Sequence, residues 1–411
     1  MERVHEACAG LDVHKATVVA TVRCSTAPPP PGKRVEVTES FATTVEGLLV
    51  LRDWLQSHGV THVAMESTGV YWKPIYYLLE ADFVLVLANA HHVKQVPGRK
   101  TDVRDSAWLA QLLEHGLIRS SFVPPPPIRE LRQLTRERTA LIQDRTRVVN
   151  RLHKVLEDAG VKLATVVSEV LGVSGRAMLE ALASGTTDPH VLADLARGTL
   201  RQKLPALRTA LQGRFQRYHA LLVGQALAHV DHLEELIETL SGEIRERLLP
   251  FASTVTRLKT LPGVSDRVAE TLVAELGVDL QTFPSAGHLA SWAGVCPGQY
   301  ESAGRRKSGK TRHGNRWGRG ALHMSATAVV RRRTPGALGL RYRRILRRRG
   351  HAKALRAVEH AQIVAIYHML TRGQDYRDLP PILQDERAAE RATRRAIQLL
   401  EREGYSVMRA A

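Results

Sequence analysis

Cysteine is nearly missing from this chain: Cys8, Cys24 and Cys296 are the only three in 411 residues. An odd, widely spaced set excludes a disulfide framework and a zinc knuckle, and a reducing cytoplasm is the expected compartment. Long apolar runs are missing too. No stretch reaches the roughly 18–20 unbroken apolar residues of a membrane helix, and Met1-Glu2-Arg3-Val4-His5-Glu6 is not the start of a signal peptide. Aromatic residues are scarce, at 5%. Acids are scarce in one place above all: between Glu301 and His360 those two end-region acids, Glu301 and Glu359, face 18 lysines and arginines.

That local imbalance accounts for most of the chain's formal net charge of +18. A basic segment of this density suits a polyanion, because Lys and Arg displace counterions condensed on phosphates. A solvated basic surface is the alternative. Hydrophobic residues make up 44%, which is ordinary for a globular protein, and the length implies two or three compact units.

Residues 6–120 alternate strand-like and helix-like patterns. Ala7–Asp12, Ala16–Val22 and Arg34–Phe41 read as strands, the first two joined at His14-Lys15 and the third set off by the Pro28–Gly32 cluster. Thr43–His58 is helical, Thr61–Met65 a strand, Val70–Leu79 helical, Phe83–Leu87 a strand and Asp102–His115 helical. The order βββαβαβα is the plan of an α/β RNase H-like domain, assigned to residues 1–123.

Pro124–Pro127 reads as a stiff linker. Leu131, Leu134, Leu141, Val148, Leu152 and Val155 then recur at three- and four-residue steps, with Arg138 and Arg145 on the intervening seam positions, the pattern of an imperfect coiled-coil helix. A second long helix is expected over Ala210–Leu249, with Leu222, Leu233, Leu236, Leu240 and Leu248 among its apolar positions. Residues 128–250 would thus be a coiled-coil or helical domain, as an antiparallel arm, a dimerisation element or an ordinary bundle. No known element is recognisable in residues 160–210.

Beyond it, residues 255–380 read as a mainly α-helical domain. Leu261-Pro262-Gly263-Val264-Ser265 followed by a helix over Arg267–Leu276 resembles half of a helix-hairpin-helix, though a plain packing turn fits as well. A Gly/Ser/Arg-rich loop is expected from Gln299 to Arg319, helices to about Arg377, and a charged tail, residues 381–411, with a helix over Asp385–Glu403.

Two sets of residues carry chemistry. Asp12 ends the apolar strand Ala9-Gly10-Leu11, and Glu66 ends Val63-Ala64-Met65. A charge there is costly unless paired or on a metal. Asp102 and Asp105 share a helical face, and the sheet order would let all four carboxylates converge on a divalent ion, typically Mg²⁺. Each taken alone is as readily a cap or a surface acid. In Gln299–Lys310, small residues let the backbone approach phosphate, and Arg305, Arg306, Lys307, Lys310, Arg312, Arg316 and Arg319 are candidate nucleic-acid contacts. A serine among them would be a nucleophile only if activated, and no base is obvious locally.

Gly10-Leu11-Asp12-Val13-His14-Lys15, Met65-Glu66-Ser67-Thr68-Gly69 and Lys100-Thr101-Asp102-Val103-Arg104-Asp105 resemble the DEDD motif blocks of one class of insertion-sequence transposases. These are similar to the Piv-type DNA invertases and include bridge-RNA-guided recombinases. Leu261-Pro262-Gly263, Leu289-Ala290-Ser291-Trp292-Ala293-Gly294, Ser302-Ala303-Gly304 and Gly314-Asn315-Arg316 match the downstream half in the expected order. The resemblance implies a RuvC-like domain holding Mg²⁺ through Asp12, Glu66, Asp102 and Asp105, and a C-terminal domain in which Ser302, not Ser308, forms a covalent 5′-phosphoserine. It further implies donor and target DNA as partners, a structured non-coding guide RNA and a dimer or tetramer. Two rival readings use the same residues: a metal-dependent junction nuclease without a covalent intermediate, and a non-catalytic nucleic-acid-binding protein.

Overall fold

The computed structural model describes residues 3–25, 34–67, 69–89, 105–298, 300–311, 313–378, 393–394 and 396–405. The Pro28–Gly32 cluster and most of the expected tail helix lie outside these residues, and helical backbone is present at 396–402. The chain divides into two compact units, Met1–Val123 and Pro124–Ala411.

The first unit is a five-stranded mixed sheet in the order β3-β2-β1-β4-β5. Its strands are β1 (Cys8–Val13), β2 (Thr17–Ser25), β3 (Arg34–Ala42), β4 (His62–Glu66) and β5 (Val84–Ala88). The first three form an antiparallel meander, and β4 and β5 run parallel to β1. Side chains alternate across the pleat, so each strand feeds two faces. Ala9, Leu11, Val18, Ala20, Val22, Val63 and Met65 enter the larger core. There they meet Leu48, Leu51 and Leu55 of α1 (Val45–Ser57) and Ile75 and Leu79 of α2 (Trp72–Leu79). Thr44, whose hydroxyl accepts from the Gly47 N–H, caps α1. The other face is covered by α3 (Asp105–Glu114), with Cys8, Ala64 and Leu113 in a smaller cluster. This mixed α/β arrangement is compatible with the RNase H-like plan read from the sequence.

The second unit is mostly helical. Its first helix, α4 (Pro126–Asp158), begins inside the stretch expected to be a linker. Pro126 and Pro127 occupy the first turn, where a missing N–H is no loss and the fixed φ favours the helix. Short helices α5 (Val173–Ala183), α6 (Pro189–Asp194) and α7 (Leu204–Ala210) follow, and α8 (Arg217–Leu248) returns antiparallel along α4. Residues 160–210 are therefore the cap of a helical hairpin, with a core of their own that takes in Leu152, Leu156, Val223 and Leu227 from its two legs.

Two expectations for this hairpin are corrected. The second long helix starts at Arg217 rather than Ala210, because the backbone between pairs with the end of α4: Lys162 N–H donates to Ala210 O at 2.7 Å and Arg214 N–H to Ala159 O at 2.7 Å. Leu222 and Leu236, expected on its apolar seam, are 41% and 37% exposed. The buried line is Val223, Leu227, Val230, Leu233, Ile237, Ile244 and Leu248. The basic seam positions of α4 are occupied by ion pairs: Arg138 with Glu270 at 2.5 Å, and Arg145 with Glu234 at 2.6 Å.

The remainder comprises α9 (Ala252–Lys259), α10 (Asp266–Leu276), α11 (Ala286–Trp292), the hairpin β6 (Tyr300–Ser302) and β7 (Arg305–Ser308), α12 (Arg316–Val330), α13 (Ala337–Arg349) and α14 (His351–Arg372). The expected loop from Gln299 to Arg319 is thus a two-stranded hairpin and the first turn of α12. The Leu261-Pro262-Gly263 turn joins α9 to α10. Gly263 has φ +88°, and a Cβ there would lie 2.3 Å from the Ser325 carbonyl of α12. Gln362 of α14 donates to Pro262 O at 3.2 Å and to Ser325 Oγ at 2.7 Å, so the turn is seated on two helices.

Candidate catalytic and nucleic-acid-binding sites

In the first unit, register decides what meets. Leu11 pairs with Met65 across β1 and β4, so Asp12 and Glu66 stand side by side at the carboxyl ends of adjacent parallel strands. Both belong to the face on which Cys8 and Ala64 pack against α3. Gly10 shows why the helix lies so close. A Cβ at Gly10 would fall 2.2 Å from the Ser106 carbonyl and 2.4 Å from the Ala110 nitrogen, so only glycine admits α3 onto β1. Ser106, fully buried, fixes the helix to the sheet through Thr21 Oγ1 at 2.8 Å. Asp105, one residue earlier, opens α3 on the same face.

Asp12 is half-buried, and its Oδ2 lies 3.1 Å from His14 Nε2. At the far end of α3, Glu114 is buried and ion-paired with Arg23 at 2.8 Å, a structural anchor away from the strand ends. Asp102 lies outside the described residues. Among the described residues no three His, Cys, Asp or Glu side chains form a metal-holding group. The structure therefore brings together Asp12 and Glu66 and sets Asp105 at the start of the covering helix. The donor chemistry fits a hard divalent cation, since every candidate ligand is a carboxylate.

In the second unit, Ser302 ends β6 and pairs with Arg305. Between them Ala303 and Gly304 have φ +50° and +72°, the two left-handed residues of a two-residue hairpin turn. Ala303 is the one non-glycine residue with positive φ among the described residues. A left-handed alanine costs roughly 1–2 kcal/mol, a strain concentrated beside the serine. Ser302 and Arg305 are exposed, and no hydrogen bond reaches the Ser302 hydroxyl among the described residues. Arg306 and Lys307 lie on β7, Arg312 is outside the described residues, and Lys310 closes the hairpin, its carbonyl 2.1 Å from where a Gly298 Cβ would be. Arg316 and Arg319 lie in the first turn of α12, with the Arg316 guanidinium 5.1 Å from the Trp317 ring. Burial pushes the Cys296 thiol up from its ordinary value.

The anchor of the Gly314-Asn315-Arg316 segment was not singled out from the sequence. Glu275 is fully buried, and Arg136 of α4 grips it bidentately at 2.6 and 2.8 Å. Arg132 donates to the carbonyls of Ala274 and Glu275 at 3.1 and 2.7 Å. Asn315 donates to Glu275 Oε2 at 2.6 Å while its own Oδ1 caps α12 through the Gly318 N–H. Gly314 packs against the Ala293-Gly294 backbone, where a Cβ would be 2.2 Å from the Gly294 nitrogen. The Gly314-Asn315-Arg316 motif is therefore a junction where α4, α10, α11 and α12 meet. One signal was available: Glu275 interrupts the apolar run Leu272-Val273-Ala274 just as Asp12 interrupts its strand.

Comparison with known proteins covers the same two regions. Residues 9–160 match a transposase family model of the IS110 DEDD type, and residues 255–343 match the transposase IS116/IS110/IS902 family. The chain is 27% identical over 374 residues to the uncharacterized 44.8 kDa protein of insertion element IS116 from Streptomyces clavuligerus, covering 82% of this chain and 91% of that one. It is 24% identical over 303 residues to the transposase for insertion sequence element IS1111A of Coxiella burnetii, covering 71% and 72%. A probable family 20 transposase of Pseudomonas aeruginosa is 25% identical over 285 residues, covering 68% and 75%. Transposases of this type cut and rejoin DNA, and the DEDD family is typically metal-dependent. The two matched regions, in this order along the chain, support the insertion-sequence transposase family of the IS110/IS116 type.

Proposed function

We propose that this transposase is a serine recombinase: Ser302 Oγ attacks a DNA phosphorus, the P–O3′ bond breaks, and a covalent 5′-phosphoserine forms. The leaving 3′-oxygen takes up the proton lost by the serine. Attack by a 3′-hydroxyl on the phosphoserine reverses the step, so the bond energy is kept and no nucleotide cofactor is needed. The observation that carries this reading is Ser302 at the mouth of an exposed, strained two-residue turn, directly across from Arg305. Arg305, Arg306, Lys307, Lys310, Arg312, Arg316 and Arg319 are the candidate sources of positive charge for the phosphorane.

Asp12, Glu66, Asp102 and Asp105 would hold Mg²⁺, which would supply Lewis-acid assistance at the phosphate. Asp12 and Glu66 at adjacent strand ends, with Asp105 opening α3, support this assignment. Among the described residues no base is hydrogen-bonded to Ser302, and the motif resemblance assigns its activation to the carboxylate site, in a dimer or tetramer working on donor and target DNA in the cytoplasm. The motif resemblance further points to a structured RNA from the same element as the guide that selects sequence. The coiled-coil reading of α4 and α8 and the phosphate-binding reading of the Leu261-Pro262-Gly263 turn belong to the same proposal.

A denaturing gel tests it, with protein, flanking DNA, Mg²⁺ and transcripts of the adjacent non-coding region. A protein–DNA band is expected in wild type and Ser308→Ala, and none in Ser302→Ala or Asp102→Ala. Cleaved DNA without an adduct, abolished by Asp102→Ala and indifferent to Ser302→Ala, would establish a metal nuclease instead.

A further inference from the structure

α13 is a helix with almost nothing buried. Only Leu338 and Gly339 are inside, yet 13 residues carry six arginines and no acid. At 100° per residue, Arg343, Arg344 and Arg347 fall on the side opposite Leu338 and Arg348 falls at its flank, and all four are exposed. They form two i,i+4 pairs, so each arginine has a like charge one turn away. Such pairs destabilise a helix by a few tenths of a kcal/mol each. No carboxylate lies within ion-pair distance of any of the four among the described residues.

Local explanations account for part of this. Arg347, Arg348 and Arg349 sit in the last turn and complement the helix dipole. Arg343 and Arg344 lie mid-helix, where that benefit has gone. The helix is also held firmly at its start. Asp378 accepts from the Ala337 N–H through both carboxylate oxygens, at 3.1 and 3.2 Å, and Tyr376, whose hydroxyl is 3.5 Å from Asp378, is tied to Thr260 by its N–H at 2.9 Å. A rigidly mounted, like-charged face requires its counter-charge from outside.

We propose that this face of α13 binds the phosphate backbone of duplex DNA, as an anchor separate from the Ser302 hairpin. The inference deepens the DNA-recombinase reading and rests on it. Rows of charge one helical turn apart, roughly 6 Å, address successive phosphates rather than a single anion. A helix bare on most of its circumference is about 10–12 Å across and matches the B-form major groove, about 12 Å wide, whereas the deep, narrow major groove of A-form RNA excludes it. The face carries no Asn, Gln, Asp or Glu, so its contribution is to affinity, independent of sequence.

The test is the salt dependence of binding between the full chain and a random-sequence DNA duplex. Neutralising one phosphate contributes about 0.9 to the slope of log K against log[salt]. Arg343→Gln, Arg344→Gln, Arg347→Gln and Arg348→Gln combined should lower that slope by roughly 3–4. The four corresponding Arg→Lys changes should preserve it, which separates charge from any effect on folding. A charge-matched control, Arg197→Gln, Arg201→Gln, Arg214→Gln and Arg217→Gln, removes four exposed arginines from the helical cap and the start of α8 and should leave the slope within 1 of wild type. An unchanged slope in the α13 glutamine variant overturns the proposal, as does an equal loss in the control. A loss confined to an A-form RNA duplex makes RNA the occupant instead. Ser302→Ala should bind duplex as wild type does, so failure of α13 and failure of the serine chemistry are told apart; a wild type that binds no duplex at all sinks both.

Discussion

Glu275 shows how one buried charge can set a motif in place. Its carboxylate receives Arg136 and Asn315 together, and removing it would leave the Arg136 guanidinium and the Asn315 amide facing an apolar gap. Breaking a buried pair by deleting one partner costs about 3–5 kcal/mol. Glu275→Ala should therefore lower the unfolding free energy of the second unit by that order, with Arg136→Ala strongly non-additive in a double-mutant cycle. Additive losses in denaturant unfolding would mean that the two act independently. The contrast with Asp12 and Ser302 concerns legibility. Those residues could be singled out as candidates because their motifs are local in sequence, whereas the partners of Glu275 lie 139 and 40 positions away. Gly10 was visible as part of a motif, but its physical reason, the 2.2 Å approach of the Ser106 carbonyl, belongs to the packing of α3.

At the scale of elements, the strands and helices of the first unit were legible because each buries one face and so keeps a strict period. The α4–α8 pair was legible in kind but not in phase. Leu222 and Leu236 are apolar yet exposed, and Ser241 is buried on the seam, since composition alone does not say which stripe faces the partner helix. The hairpin β6–β7 was read as a loop because its strands are short, three and four residues, and rich in charge and small residues. Arg138, by contrast, was recognised as a basic residue on an apolar seam, and its explanation is Glu270 of α10 with Ser241 beside it. Arg138→Met alone strands the Glu270 carboxylate and should destabilise by about 3 kcal/mol or more, while Arg138→Met with Glu270→Leu should come back to within about 1 kcal/mol of wild type or exceed it. Thermal unfolding of the two variants checks this. A double variant no better than the single would show that the ion pair itself, rather than its satisfaction, stabilises the junction.

For the whole molecule, division into two units implies two cores that respond separately to solution conditions. Each contains a histidine held below the ordinary value of 6.5. Burial lowers His62 in the first unit, with His5 stacked on it at 3.9 Å adding like charge. Burial likewise lowers His360 in the second, with Arg341 adding to the effect. In both, the folded state disfavours the protonated ring while the unfolded chain accepts a proton at its usual pH. Unfolding therefore gains protons, and stability present above pH 6.5 is lost as the pH falls from there toward the folded-state value. Calorimetric scans at descending pH should show both transitions moving to lower temperature. His62→Asn should flatten that dependence in the first unit alone and His360→Asn in the second alone. If either substitution flattened both transitions equally, the two cores would be one cooperative system, and the division of the chain at Val123 would not describe how it unfolds.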